Sequence, residues 1–584
     1  MKYCKFLMLV FLMIILIAAC TDETNIINQT VTKKTVVIIS DNSPTTDIII
    51  RVSGEIISKH PEFDIRYIQV EPFNYIEASY IIDLTAQTLP KGSYIIGIVD
   101  PETSTKKMVF KADGKYILAP DNGLATRIFN RGNIDSIYYA ENPTLIGGDV
   151  QENLSYEDFY TATVSSFLSN IPLNQFGTKV ENPVKFDIYP AKFENDTLSG
   201  EISITDNFGN CVANIPDSLL THFKVGDILK IEAGNTHFFA KYGTGYSSVN
   251  VGLNVAFKNS SKRLEISVNY GDMSSRYSIS AGMKLTITKA KLKIGILKYN
   301  DSEVANNIVN FMKTELQTLG VTNESATIVE KNANGDANLL PTLINELLNE
   351  KIDILVPVST PASQSAVFNT PETIPIVFTY VTDPESAGIL NKRNGVTGCS
   401  DATNFADYIR FVKRLLPNLE IAGHIYNDKE SNASYAKQQL ATLAPFYNLT
   451  LKSEIANSTD QIATAFQNIK NQSINTILIA ADNTMSKGIT NLSALSVENK
   501  MVLIGDSNEH SQGGALASIS VDYEKLSKST GNLIYSVLLG KNPDNEDIRK
   551  FSTDVISVNK TTANKIGFTI PIEIINEAKF VYEK

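Results

Sequence analysis

Lys291-Leu292-Lys293-Ile294-Gly295-Ile296-Leu297 divides this 584-residue chain in two. The stretch reads as a buried strand, and it opens an alternation of strands and helices that runs almost to the C-terminus. Candidate strands follow at Ile352 to Val358, Ile374 to Tyr380, Ile421 to Tyr426, Thr476 to Ala480 and Met501 to Ile504. Helical patterns lie between them, for example Ser302 to Leu319 and Leu339 to Glu350. Short β-branched runs separated by helices predict a parallel sheet covered on both faces.

Small polar residues collect where these strands end. Val358-Ser359-Thr360-Pro361-Ala362 leaves one strand and opens a helix, which turns backbone N–H groups and the positive end of a helix dipole toward an anion. Tyr380-Val381-Thr382-Asp383-Pro384, Ala481-Asp482-Asn483-Thr484 and Gly505-Asp506-Ser507 follow three other strands. Ligands of open α/β sheets sit beyond the carboxyl ends of strands. A hydroxyl-rich turn for a carboxylate and an aspartate for an ammonium would suit an amino acid zwitterion. Ser, Thr and Asp also cap helices, and at any single turn capping accounts for them; four such turns after different strands favour a site.

Upstream the texture changes once. From Thr35 to Gly177, strands such as Val36-Val37-Ile38-Ile39-Ser40 and Tyr94-Ile95-Ile96-Gly97-Ile98-Val99-Asp100 alternate with helices, again an α/β pattern. From Pro183 to Ile287 the helical signal fades, and segments such as Leu264-Glu265-Ile266-Ser267-Val268-Asn269 predict an antiparallel β domain.

The N-terminus sets the compartment. Lys2 and Lys5 precede an apolar run from Phe6 to Ile17, closed by Ile17-Ala18-Ala19-Cys20. That order describes a signal peptide, and the run is too short to cross a bilayer core of about 30 Å with any margin. Its last four residues resemble the lipobox of bacterial lipoproteins, whose cysteine is diacylated and becomes the new N-terminus. Cys20 is thus the expected lipid anchor, residues 21–34 a tether, and the location extracytoplasmic on a bacterial membrane. Net charge is −11, which argues against a general nucleic-acid surface. Of four cysteines only Cys211 and Cys399 remain after Cys4 and Cys20, and the five histidines show no metal-ligand spacing. No metal and no cofactor are expected.

From Lys293 onward the chain resembles the lipoprotein substrate-binding proteins of ABC importers whose studied members bind aromatic amino acids. The resemblance rests on Ser359-Thr360-Pro361-Ala362-Ser363-Gln364, Phe378-Thr379-Tyr380-Val381-Thr382-Asp383-Pro384, Gly395-Val396-Thr397-Gly398-Cys399-Ser400-Asp401 and Ile425-Tyr426-Asn427. Ala481-Asp482-Asn483-Thr484, Gly514-Ala515-Leu516-Ala517 and Val521-Asp522-Tyr523 follow in order. It implies two α/β lobes in 291–584, the second at about 400–518, clamping a small ligand for delivery to an ABC permease. Thr360, Thr382, Asp383, Asp401, Asn427, Asp482, Asn483, Asp506 and Asp522 fall in the matching turns as candidate ligand residues. The chain has no tryptophan, so aromatic stacking would fall to residues such as Tyr380, Tyr426 and Tyr523, for which a core role is an equal alternative.

Residues 35–290 resemble the S-adenosylmethionine hydroxide adenosyltransferases, relatives of the fluorinating and chlorinating enzymes. The matching stretches are Ile39-Ser40-Asp41, Pro90-Lys91-Gly92, Val99-Asp100-Pro101, Ala119-Pro120-Asp121-Asn122-Gly123-Leu124, Asp206-Asn207-Phe208-Gly209-Asn210 with Asn214-Ile215, and Leu264 to Gly271. The resemblance implies an α/β domain at 35–180, a small antiparallel barrel at 181–290, and a homotrimer with sites between subunits. Asp41 then stands at the ribose, Phe208 and Asn210 at the adenine, and Asp206 near the methionine ammonium. Of the three catalytic positions, Asp100 matches. Lys107 replaces an arginine and loses its planar fork. Ser155 replaces the histidine and has no titration near neutrality with which to serve as a base. The altered positions favour a domain that kept its fold and lost its reaction. The alternative is an active hydrolase releasing adenosine and methionine, with the C-terminal half capturing a product.

Overall fold

The computed structural model describes residues 34–99, 105–149 and 154–583. The signal, Cys20, the tether as far as residue 33 and Asp100 lie outside the described residues, and Lys34, expected to end the tether, already belongs to the first strand.

Strand Lys34–Ser40 is central to the first sheet, parallel to Phe63–Gln69 on one side and Tyr94–Ile98 on the other. Lys115–Pro120 extends the sheet in parallel, and Lys107–Ala112 folds back antiparallel to it. Both faces are covered, and side chains alternate between them. Val36 and Ile38 meet the helices Asp47–Lys59 and Tyr156–Leu168. Val37 and Ile39 meet Tyr75–Thr88 and Thr126–Arg131.

Seven strands then close into a barrel, because Lys284–Lys289 pairs with both Ile228–Ala233 and Thr197–Thr205. The barrel is antiparallel except at one seam, where Thr236–Gly243 runs parallel to Asn254–Lys258. The α/β expectation and the closed barrel are both met, with that parallel seam as the departure from a wholly antiparallel sheet.

The C-terminal half holds two sheets. The first takes Ala326–Asn332, Leu292–Lys298, Ile354–Val358, Ile376–Val381, Val396–Ser400 and Arg549–Lys550 in that order, all parallel. The second takes Thr450–Ile455, Ile421–Tyr426, Thr476–Leu478, Val502–Gly505 and Ala517–Val521 in parallel. Thr553–Asn559 joins it antiparallel, followed by Phe580–Tyr582. The second lobe therefore also draws on residues well beyond 518. The chain passes between sheets after Ser400, after Val521 and again after Lys550, which places the cleft at the strands' carboxyl ends.

One apolar core runs from the barrel into the first lobe. Leu253, Val255 and Phe257 of the barrel pack in the same cluster as Leu292, Ile294, Met312, Leu533 and Leu539. The helix Tyr523–Leu538 lies along Glu303–Thr318. A Cβ at Gly531 would meet Glu315 Cβ at 3.0 Å and the Met312 carbonyl oxygen at 3.1 Å, so the glycine sets how closely these helices approach. Gly531→Val should therefore lower stability by about 1–3 kcal/mol through overpacking, read as a drop in Tm by circular dichroism. An unchanged Tm would show that the helix pair can separate without cost.

Candidate ligand-binding cleft

Three non-glycine residues at strand ends facing the cleft carry positive φ: Ser359 at 90°, Tyr380 at 59° and Ala481 at 49°. Each such conformation costs about 1–3 kcal/mol and persists only where the surroundings impose it. Each also turns a strand end sharply into the space between the lobes. The Ser359 N–H donates to the Thr379 carbonyl at 3.0 Å, and its own carbonyl accepts from the Ser363 hydroxyl at 2.8 Å. Its hydroxyl, at the N-terminus of helix Thr360–Asn369, is buried without a partner among the described residues.

Around these turns lies a buried set of acids and phenols. Asp401 Oδ1 and Glu509 Oε2 are buried and find no hydrogen-bond partner among the described residues. Burial, with Asp506 beside it, pushes the Asp401 carboxyl up to about 7, and burial pushes Asp506 to about 7. Burial also raises Glu509. The rings of Tyr380 and Tyr523 meet edge to face at 5.7 Å, and both phenols feel the charges of Asp401, Asp506 and Glu509. Thr360 and Thr382 are buried at the same strand ends. Thus Thr382, Asp401 and Asp506 gather with Tyr380 and Tyr523, and Thr360 stands at the start of helix Thr360–Asn369.

The other candidate residues are used differently. Asn427, Asp482 and Asn483 form a network around Glu430, a residue the sequence did not single out. Glu430 accepts from Asn483 Nδ2 at 2.6 Å, the Asn483 N–H at 3.1 Å, the Thr484 hydroxyl at 2.7 Å and Asn427 Nδ2 at 3.2 Å. Asp482 caps its own helix through the Met485 N–H at 2.8 Å and accepts the Asn427 N–H at 2.6 Å. Burial and the Glu430 charge push its carboxyl well up. Asp383 accepts the N–H groups of Glu385 and Ser386, and Asp522 caps helix Tyr523–Leu538 while pairing with Lys579 at 2.7 Å. Tyr426 stacks on the buried His424.

Ser486, His510 and Asp506 have the composition of a hydrolytic triad, and the hydrogen bonds refuse it. The Asp506 N–H donates to His510 Nδ1 at 3.3 Å, so Nδ1 is the acceptor and Nε2 carries the proton toward Ser486 Oγ at 2.9 Å. The Ser486 hydroxyl in turn donates to the Asp482 carbonyl at 2.9 Å. Burial pushes His510 down to about 3, so it stays neutral and holds the turns together. This is the wrong tautomer for a general base.

Several contacts between described residues join the lobes across the cleft. Asn300 Nδ2 donates to the Asn483 carbonyl at 3.3 Å and Asn307 Nδ2 to Glu509 Oε1 at 3.3 Å. Lys487 Nζ reaches the Asn334 carbonyl at 3.0 Å, and Gln512 Nε2 reaches Glu303 at 2.7 Å. The acid cluster is therefore enclosed by both lobes.

In the N-terminal half, Ser155 caps helix Tyr156–Leu168 by accepting the Asp158 N–H at 3.0 Å. Lys107 is buried, donates to the Thr105 carbonyl at 2.6 Å and lies over the rings of Tyr156, Phe159 and Tyr160 at 5.6 to 5.9 Å. Asp41 accepts the Phe73 N–H at 3.1 Å. Asp206 staples its hairpin by accepting the N–H groups of Phe208 and Asn210 at 2.9 Å and Asn210 Nδ2 at 2.8 Å. At the tip Phe208 is 78% exposed, and on a nearby loop Tyr270 is 91% exposed. Among the described residues, no group of three or more His, Cys, Asp or Glu could hold a metal ion. No helix among them is long and apolar enough to cross a membrane.

A carboxyl raised from 3.8 to about 7 binds its proton more tightly in the folded chain than in the unfolded one. Its stabilising contribution is complete below the unfolded pKa and is lost as pH rises through the folded value. Asp401→Asn, measured without added ligand, should raise stability at pH 8 by about 1–3 kcal/mol and change little at pH 4. Urea melts at the two pH values check this; equal effects at both would remove Asp401 as the titrating group.

Residues 293–582 match the family model described as ABC transporter substrate binding protein. Residues 36–177 and 200–286 match the N-terminal and C-terminal domain models of SAM hydroxide adenosyltransferase. A curated relative, "Tyrosine-binding protein" of Clostridioides difficile, is 29% identical over 236 residues, 40% of this chain and 68% of that protein. "Fluorinase" of Actinoplanes sp. is 24% identical over 293 residues, 43% of this chain and 96% of that protein. Among solved structures, an ABC domain in complex with L-Trp from Streptococcus pneumonia is 26% identical, covering 50% of this chain and all of that one at a TM-score of 0.48. An uncharacterized conserved protein from Thermotoga maritima is also 26% identical, covering 44% of this chain and all of that one at a TM-score of 0.40. The chain thus joins, in one polypeptide, a pair of domains similar to SAM hydroxide adenosyltransferases and a C-terminal half similar to ABC transporter substrate-binding proteins.

Proposed function

We propose that the protein is a lipid-anchored receptor of an ABC importer that binds an aromatic or apolar amino acid, and that its N-terminal half binds an adenosine-like molecule without hydrolysing S-adenosylmethionine at a useful rate. The observation that carries the first part is the pair of buried acceptors Asp401 Oδ1 and Glu509 Oε2, which have no partner among the described residues and lie beside the Tyr380–Tyr523 pair. Buried acceptors without donors are rare in folded proteins. A ligand ammonium supplies three donors and a compensating charge, and the tyrosine faces supply an apolar wall. The hydroxyls at the start of helix Thr360–Asn369, with its positive dipole end, suit the ligand carboxylate. The tyrosine-binding relative supports the same class of ligand. Anchoring at Cys20 would keep the receptor beside its permease.

Calorimetry of the full chain with L-tyrosine, L-phenylalanine and L-tryptophan should show one saturable site. Asp401→Ala should weaken it by about tenfold or more, since removing a charged partner strands the ligand cation. Absence of heat with every amino acid at millimolar concentration would end this reading.

For the N-terminal half, the reading rests on the residue types: Ser155, which caps its helix, has no imidazole with which to serve as a base, and Lys107, which lies over three rings, lacks the planar fork of an arginine. Asp41, Phe208 and Asn210 retain the groups for a nucleoside, and the exposed Phe208 and Tyr270 suit contact with a second copy in a homotrimer. Adenosine release from S-adenosylmethionine should be at background, and Ser155→His with Lys107→Arg should raise it by up to about 10²-fold if the rest of the site is intact. Wild-type turnover within about tenfold of that double variant would instead assign the chemistry to the present residues.

A further inference from the structure

A cavity of about 340 Å³ lies where the first α/β domain meets the barrel, and its lining does not include the hairpin that carries Phe208. Helices Tyr75–Thr88 and Thr126–Arg131 form one wall. The other wall is the outer face of strand Thr197–Thr205, where alternation sends Ile202 into the barrel core and Glu201 and Ser203 outward. Arg127 crosses the boundary and pairs with Glu201 at 3.0 Å; the two side chains are 9% and 5% exposed.

The hydrogen-bond inventory of this cavity is lopsided. Arg127 Nε is buried without an acceptor, and the fully buried Ser203 hydroxyl has no partner among the described residues. Arg263 gives one N–H to the Asn214 carbonyl at 3.2 Å, and no described carboxylate lies within ion-pair distance of it. The single acid in the lining, Asp83, is already held by Arg131 Nε at 2.9 Å and Gln87 Nε2 at 2.8 Å. Among the charged groups of the lining what remains open is donors, since guanidinium groups have no acceptors at all, and the Ser203, Ser261 and Asn130 side chains can donate as well as accept. Tyr80, Leu84 and Ile188 add an apolar side.

We propose that this crevice is a binding site for a small oxyanion, a carboxylate or phosphate group, seated on Arg263, Arg127 and the Ser203 hydroxyl. Planar guanidinium forks match both groups and bind them bidentately. The cavity falls at the small end of ligand sites, so the molecule is of metabolite size. Because Arg127 belongs to the α/β domain and Ser203 and Arg263 to the barrel, the anion bridges the two domains.

The test is calorimetry on the full chain at constant ionic strength, with inorganic phosphate and benzoate as probes and benzamide as the uncharged control. One saturable site is expected for at least one anion, with none for benzamide. Tighter phosphate binding makes the natural ligand a phosphate; tighter benzoate binding makes it an organic carboxylate. Arg263→Gln should weaken binding by about tenfold or more. Ser203→Ala should weaken it several-fold while leaving the ligand-free Tm unchanged or higher, because it removes a buried hydroxyl that lacks a partner. That opposite movement of affinity and stability distinguishes a site from a packing defect. Absence of a saturable site for both anions, or equal affinity in folded Arg263→Gln, overturns the proposal.

Discussion

The packing of helix Tyr523–Leu538 is the constraint on which the rest depends. Its first residue places a phenol in the acid cluster, and its length lies along Glu303–Thr318 in the first lobe. Just beyond its end, the Leu539 carbonyl accepts the Asn254 N–H at 2.9 Å and the Gly540 carbonyl accepts from Arg276 at 3.2 Å, both from the barrel. A single rigid element about 24 Å long therefore spans from ligand cleft to barrel, within a core shared by both. The two halves are packed as one body at this seam, unlike beads on a linker.

The physics of the cleft is that of incompletely satisfied groups held by well-satisfied ones. Glu430, with donors from four directions, fixes the turns at Asn427 and Asn483, and neutral His510 fixes those at Ser486 and Asp506. Against that scaffold Asp401, Glu509 and Ser359 keep open valences. Rigid supports around under-coordinated acceptors let a site bind without reorganising.

Much of the fold was legible because strands buried on both faces must be β-branched runs, as in Val36 to Ile39 and Ile354 to Val358. The parallel seam at Thr236–Gly243 was not, since it follows from how the barrel closes rather than from local pattern. The return of Thr553–Asn559 to the second lobe depends on an antiparallel register that composition does not encode. The cleft was legible as polar turns after strands, and its sorting into open and consumed groups was not. Asp383 and Asp522 look the same in sequence as Asp401, yet two N–H groups occupy one and Lys579 the other. Glu430 and Glu509 could have been found only by extending the strand-end rule one helical turn further along the chain.

The left-handed residues Ser359, Tyr380 and Ala481 carry a consequence for how such a cleft can change. Glycine at any of these positions would relax the backbone and is one or two nucleotide changes from most codons. The cost of holding a side chain there falls on the folded state, so these turns are points where the fold stores strain. The relief would differ by position: at Ser359 and Ala481 glycine removes only a small side chain, whereas at Tyr380 it would also remove a ring packed on Tyr523, so the strain there is held in place by the core itself.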